Sequence, residues 1–451
     1  MAEFTMAEVC LATGGLSRQS EHSIKFNSVS TDTRRIKPGS LFVALSGEHF
    51  DGHDFIAEAV RKGASGVVIS RNIQAAAEAA VIMVPDTRRA LQELAFFHRR
   101  RFNIPVVAIT GSNGKTTTKD MTAVVLASRI AVLKTEANYN NEIGLPLTLL
   151  NLTSEHQAAV VEMGMRGKGE IKDLANIAQP TIGVVTNVGE SHIERLGSLA
   201  AIAEAKAELV EAIGETGLVI LNSDNAYVSA MSAKTAARIL YYGLGGEADI
   251  RAKDIISRDG GTRFICCAGQ QEFPVQLTVP GRHNVYNALA AIAVGLEIGL
   301  TSGEITKGLL QFTSGTMRLH IEQRGDYTII NDAYNASPLS MAAAVDTLSE
   351  VASGRKIAIL GDMLELGEFA EEAHCALGRK LAQHKVDAVV TVGTLARFIA
   401  LGAQQTGVKL VMPCEDHAKA QAVIKEIIKP GDTLLIKGSR GMKMEKMLEM
   451  F

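Results

Sequence analysis

The sequence predicts an α/β protein in three domains, and three observations carry that prediction. First, 451 residues are too many for one hydrophobic core, and at about 150 residues per domain they divide into roughly three. Second, short apolar runs alternate with helical stretches over most of the chain, the pattern of parallel strands covered on both faces. Third, the rhythm changes near residues 86 and 314, which gives units of 1–86, 87–314 and 315–451. The first is expected to be a small α/β domain. The second should be a P-loop domain with a mostly parallel sheet, and the third a Rossmann-like doubly wound domain.

Each unit supports the assignment in turn. In the first, the strand-like runs "SLFVAL" and "SGVVIS" stand near the turns "KPGS" and "FDGHDF". In the second, "VVAIT" precedes a helix from Lys115, and "AAVVEMG", "TIGVVTNVG" and "GLVILNSDN" follow as further strands. Residues 247–280 read as β hairpins, and "NVYNALAAIAVGLEIG" reads as a helix. In the third, "YTIINDAY", "KIAILGDM", "DAVVTVG" and "DTLLIKGS" each lead into a helical stretch.

Composition narrows the function. A net charge of −3 and the lack of an aromatic-rich basic stripe argue against nucleic acid as a partner. Five cysteines without C-x-x-C spacing suit reduced thiols better than disulfides or a zinc site. No apolar run of about 20 residues is present to span a bilayer, and no secretory leader pattern opens the chain. The expectation is a soluble cytoplasmic monomer that acts on small molecules.

The stretch "VVAITGSNGKTTTKD" carries the chemistry of the middle unit. A phosphate loop needs a strand that stops abruptly, a turn with converging N–H groups, and a helix whose positive end faces the anion. Gly111 and Gly114 supply the turn, with Ser112 and Asn113 between them. Lys115 supplies charge, and Thr116 and Thr117 supply hydroxyls. The full pattern G-x-x-x-x-G-K-[ST] is not met, because Ile109 stands where its first glycine belongs. The loop is therefore a variant form, T-G-S-N-G-K-T.

Three more residues fall at the same sheet edge or near it. Glu162 ends the strand "AAVVEMG", where open parallel sheets place their ligands, and its carboxylate suits Mg²⁺. His192 follows the next strand, a position that fits a metal or phosphate role. Lys206 lies within an apolar helical stripe of Leu199, Ile202, Leu209 and Ile213. Two readings stay open for it. Its stem lies on the core with the ammonium reaching water, or burial beside cations favours the neutral amine, which can take up CO₂ as a carbamate.

Taken together, "ITGSNGKTTT", "NYNNEIGLP", "EMG", "SHIERLGS", "AKAEL", "PGRHNVYNALAA", "NDAYNASP" and "KGSRGM" resemble the Mur ligase family, and the resemblance runs through nearly the whole chain. It implies an ATP-dependent enzyme that activates a carboxylate as an acyl phosphate for attack by an amine. By that resemblance, Gly111 to Thr117 grip ATP, with Lys115 on the β- and γ-phosphates. Thr116 and Glu162 hold one Mg²⁺, and His192 with carbamylated Lys206 helps hold a second. Asn287 contacts adenine, and Arg318 and Asp332 close over the nucleotide.

The resemblance also speaks for the two ends. Ser30, Asp32, Thr33, Arg34 and Gly47, with Asn138 and Asn141, are candidates for holding a UDP-N-acetylmuramoyl-tripeptide. The motif D-N-P-R of the third-residue-adding members is absent. "NDAYNASP" instead resembles the members that add D-alanyl-D-alanine, with Tyr334, Asn335 and Ser337 in the dipeptide pocket. Ser337 stands where those members commonly have asparagine, and Met317 where many have glycine.

Overall fold

The computed structural model describes residues 2–17, 23–48, 50–72, 79–258 and 260–451. It is built on three main sheets, each formed by one stretch of the chain.

The first sheet has the strand order Leu16–Ser17, Ala80–Met83, Ala64–Ile69, Ser40–Val43, Ser28–Ser30. Its neighbours run parallel except for the first pair. Phe42, Ile56, Val67 and Val81 fill its own small core. The helix Met6–Thr13 starts in a capping box between Thr5 and Glu8 and packs on the helix Thr87–Arg99. Residues at the very start of the described chain therefore lie against the middle unit, where the Ala2 N–H also donates to the Leu150 carbonyl.

The middle sheet has nine strands. Val106–Thr110 lies between Ile182–Val185 and Ala158–Glu162, all parallel, and every residue of these three strands is buried. That burial explains why they read as unbroken apolar runs. At the far edge, Ile250–Arg258, Gly261–Ala268 and Gln271–Leu277 pair antiparallel, and the last of these alternates exposed and buried residues because one face meets water. The helices Lys115–Ala127 and Arg282–Glu297 cover one face of the sheet. Thr87–Arg99, Glu170–Ala178 and Leu199–Glu211 cover the other.

The third sheet orders His320–Arg324, Tyr327–Asp332, Thr433–Lys437, Lys356–Gly361, Ala388–Val392 and Leu410–Cys414, parallel after the first pair. Helices lie on both faces: Pro338–Val351, Ala370–Gln383 and Arg397–Gln405 on one, and His417–Ile427 on the other. This is the doubly wound arrangement expected from the sequence. No described helix is long and apolar enough to cross a membrane.

Candidate active site

The phosphate loop is fixed from behind by the segment after the neighbouring strand. The Ser112 N–H donates to the Asn187 carbonyl, and the Asn113 N–H to Asn187 Oδ1, each at 2.9 Å. The Thr186 hydroxyl donates to the Asn113 carbonyl at 2.6 Å. Gly111 has φ +148°, and a Cβ there would lie 1.9 Å from Thr186 Oγ1. Gly114 has φ +81°, and its Cβ would lie 2.5 Å from Asn287 Oδ1. Glycine at both positions lets the loop bend sharply while the helix carrying Asn287 packs against it. Asn287 accepts a hydrogen bond from Thr118 Oγ1, which ties that helix to the one that opens at Lys115.

Around the loop, acidic oxygens and buried cations face one another. Thr116 Oγ1 donates to Glu162 Oε2 at 2.8 Å, and Asn140 Nδ2 donates to Glu162 Oε1 at 2.7 Å. Thr135 Oγ1 accepts from the Glu162 backbone N–H, so the carboxylate is held by two donors and its backbone by a third contact. Lys115 bends back onto the carbonyls of Gly111, at 2.7 Å, and Ser112, at 3.3 Å. Burial pulls its pKa down, against the opposing pull of Glu162. Lys206 is 2% exposed on the helix capped by Ser198. Among the described residues, no hydrogen bond or ion pair holds its ammonium. Burial, and secondarily the nearby Lys115, holds its pKa well below the usual ammonium range. Lys206 is thus buried within its apolar stripe while lining the same cleft as the phosphate loop.

The third unit meets this edge directly. The Arg318 guanidinium sits 3.9 Å from the centroid of the Tyr334 ring, a stacking contact that fixes both side chains. Asp332 accepts from the Leu319 N–H and from Lys437 Nζ, at 3.1 and 2.5 Å. Ser337 caps the helix Pro338–Val351 and also donates to Asn113 Oδ1 on the phosphate loop at 2.9 Å. His192 Nδ1 lies 2.5 Å from Glu365 Oε2.

Apart from Thr118 and Ser198, these groups line one open cleft of ≈ 1730 Å³, together with Asn138, Asn141 and Asn335. The other candidates from the first unit do not line it. Ser30, Asp32, Thr33 and Arg34 form a separate turn, in which Asp32 accepts from the backbone and the guanidinium of Arg34. Gly47 lies in the loop after the adjacent strand, at the same C-terminal edge of that sheet.

Three stretches of the chain match known family descriptions. Residues 25–99 match the description "Mur ligase family, catalytic domain", 109–295 match "Mur ligase middle domain", and 317–440 match "Mur ligase, glutamate ligase domain". Over 97% of its length the chain is 40% identical to the UDP-N-acetylmuramoyl-tripeptide–D-alanyl-D-alanine ligase of Bacillus subtilis, covering 96% of that protein. The chain belongs to the Mur ligase family.

Among solved structures, MurF from Acinetobacter baumannii superposes with a TM-score of 0.92 at 33% identity, over 100% of this chain and 98% of that one. MurF from Thermotoga maritima in complex with ADP gives 0.85 at 30% identity, over 94% and 96%. Such ligases form amide bonds at the cost of ATP, and three domains are their common architecture.

Several residues of this Mur ligase's cleft escaped sequence reasoning. Asn140 lies in the quoted motif "NYNNEIGLP", between the two asparagines singled out there, yet it is the one that holds Glu162. Asn187 and Thr186 act on the loop through backbone contacts that no residue pattern signals. Lys437 does carry a signal: a lysine ends the apolar strand "DTLLIKGS", and it is 2% exposed against Asp332. Glu365 carries none.

Proposed function

We propose that this Mur ligase joins D-alanyl-D-alanine to UDP-N-acetylmuramoyl-tripeptide, consuming ATP and releasing ADP and phosphate. The observation that carries the reading is full-length similarity, at 40% identity, to a ligase named for that reaction. In this reading, residues 1–86 hold the uridine end through Ser30, Asp32, Thr33, Arg34 and Gly47, with Asn138 and Asn141 nearby. Residues 87–314 hold ATP, from Gly111 to Thr117 and at Asn287. Residues 315–451 bring in the dipeptide at Tyr334, Asn335 and Ser337, while Arg318 and Asp332 close over the nucleotide. The enzyme works as a cytoplasmic monomer.

The chemistry follows from a poor electrophile. An amine attacking a free carboxylate would have to expel oxide. A carboxylate oxygen of the tripeptide therefore attacks the γ-phosphorus, and the bond from that phosphorus to the ADP oxygen breaks. The dipeptide's amine, having lost a proton, then attacks the acyl carbon, and the carbon–oxygen bond to phosphate breaks. The first step crowds anions together, so catalysis rests on placed positive charge more than on a protein nucleophile. Lys115 supplies such charge once it leaves the loop carbonyls for the β- and γ-phosphates.

The donor set also fits Mg²⁺: the oxygens of Thr116 and Glu162 are hard ligands, and Asn140 orients the carboxylate. Thr116 and Glu162 would hold one ion and His192 with Lys206 a second, and such ions neutralise charge on the transferring group. A buried, unpaired Lys206 amine fits carbamylation, because the neutral form is the one that takes up CO₂.

The test is product mass. With ATP, Mg²⁺, the uridine-linked tripeptide and D-alanyl-D-alanine, the product should weigh the sum of tripeptide and dipeptide substrates less one water. Condensation only of a uridine-linked dipeptide with a single amino acid would overturn the reading.

A further inference from the structure

Nothing in the chemistry above uses Glu365, yet it makes the closest contact between the third unit and His192. The segment that follows the strand Lys356–Gly361 crosses to the turn that opens the short helix Ile193–Leu196. Three contacts join them. Glu365 Oε2 meets His192 Nδ1 at 2.5 Å. The Glu194 N–H donates to the Glu365 carbonyl at 3.2 Å. Gly367 lies so close that a Cβ on it would sit 3.3–3.5 Å from Glu194.

Backbone conformation marks the same two residues. His192 has φ +62° and Glu365 has φ +63°. Side-chain-bearing residues adopt this region at a cost of about 1–2 kcal/mol each, so surrounding structure must hold both there. Strain on both sides of one contact points to a contact that matters. An imidazole bonded to a carboxylate through one nitrogen keeps its proton on that nitrogen and leaves the other as a free lone pair. Glu365 on Nδ1 thereby makes Nε2 the available lone pair of a side chain that lines the cleft.

We propose that Glu365 is a positioning residue: from the third unit it fixes the tautomer and orientation of His192 in the middle unit, so that the phosphate side of the cleft is complete only when the third unit is docked. The proposal deepens the ligase reading and rests on it, through the role given there to His192. It does not require Glu365 to touch substrate.

The experiment compares Glu365→Ala, His192→Ala and the double variant with the wild type. Glu365→Ala should lower kcat by about 10–100-fold, the usual effect of removing such an orienting carboxylate. KM for the uridine-linked substrate should stay within about twofold, because that site lies in the first unit. The double variant should be no slower than His192→Ala alone, since Glu365 acts through His192. A readout independent of turnover is the ¹⁵N spectrum of the histidine rings in substrate-free protein: His192 should be the Nδ1–H tautomer in the wild type and lose that fixed state in Glu365→Ala. Multiplying losses in the double variant, or an unchanged His192 tautomer in Glu365→Ala, would overturn the proposal. A wild type that forms no product would instead refute the ligase reading, and the ring spectrum would still judge the contact.

Discussion

Gly111→Ala is the perturbation whose size the structure states most directly. The added methyl carbon would lie 1.9 Å from Thr186 Oγ1 and 3.1 Å from both Thr186 Cβ and the Asn187 nitrogen. The hydroxyl it strikes is the one that holds the Asn113 carbonyl, so the clash cannot be relieved without moving the loop. Overpacking of this kind costs about 1–3 kcal/mol, and backbone strain at φ +148° adds about 1–3 more. For a unit of roughly 200 residues, each kcal/mol lowers the melting temperature by about 2–4 °C, so a fall of about 4–24 °C is expected by scanning calorimetry. Adding Thr186→Ala removes the struck atom. The double variant should therefore be more stable than the sum of the single effects by at least about 1 kcal/mol. ATP-dependent product formation should nevertheless stay low in both, because the loop amides are displaced. A Gly111→Ala protein that melts with the wild type, or strictly additive effects with Thr186→Ala, would refute the packing argument.

Three further outcomes are expected. Lys206→Met should abolish turnover while raising the melting temperature at pH 7 by at least about 2 °C in CO₂-free buffer, because it removes a buried amine with no partner. The folded pKa of Lys206 lies below its unfolded value of about 10.4, so between the two the unfolded chain binds the extra proton. Wild-type stability therefore rises with pH through that window, and urea titrations should show the gap to Lys206→Met narrowing towards pH 10; a gap independent of pH would contradict this. Asn140→Ala leaves Glu162 Oε1 without its donor and should cost about 10–100-fold in rate at limiting Mg²⁺, read from initial rates across a metal titration. Asp32→Ala removes the acceptor that orders Arg34 and should raise KM for the uridine-linked substrate more than KM for ATP; equal effects would remove the first unit from that role.

What the sequence made legible was whatever local physics writes into neighbouring residues. Buried parallel strands appear as apolar runs, which is why "VVAIT" and "TIGVVTNVG" were found, while short or half-exposed strands such as Leu410–Cys414 and His320–Arg324 were not. Gly111 and Gly114 announce the loop because only a glycine pair allows that bend beside Thr186 and Asn287. Lys206 was visible as a cation inside an apolar stripe, and it is buried as that pattern implies.

The rest depends on partners far apart in the chain. Ser337 meets Asn113 across 224 positions and Glu365 meets His192 across 173, and neither pairing leaves a trace in residue spacing. Ser337 shows the limit well. Its helix-capping role is readable from the Ser-Pro that opens the helix, but its bond to the phosphate loop is not.

The proposed chemistry turns on where the terminal phosphoryl group of ATP goes, and isotope transfer answers that directly. The tripeptide's reacting carboxylate is labelled with ¹⁸O, the complete reaction is run to a few turnovers, and the inorganic phosphate is weighed. Phosphoryl transfer to the carboxylate predicts one ¹⁸O atom in each phosphate released from fully labelled acid. Phosphate that carries only solvent or ATP oxygen, alongside normal product formation, would contradict it.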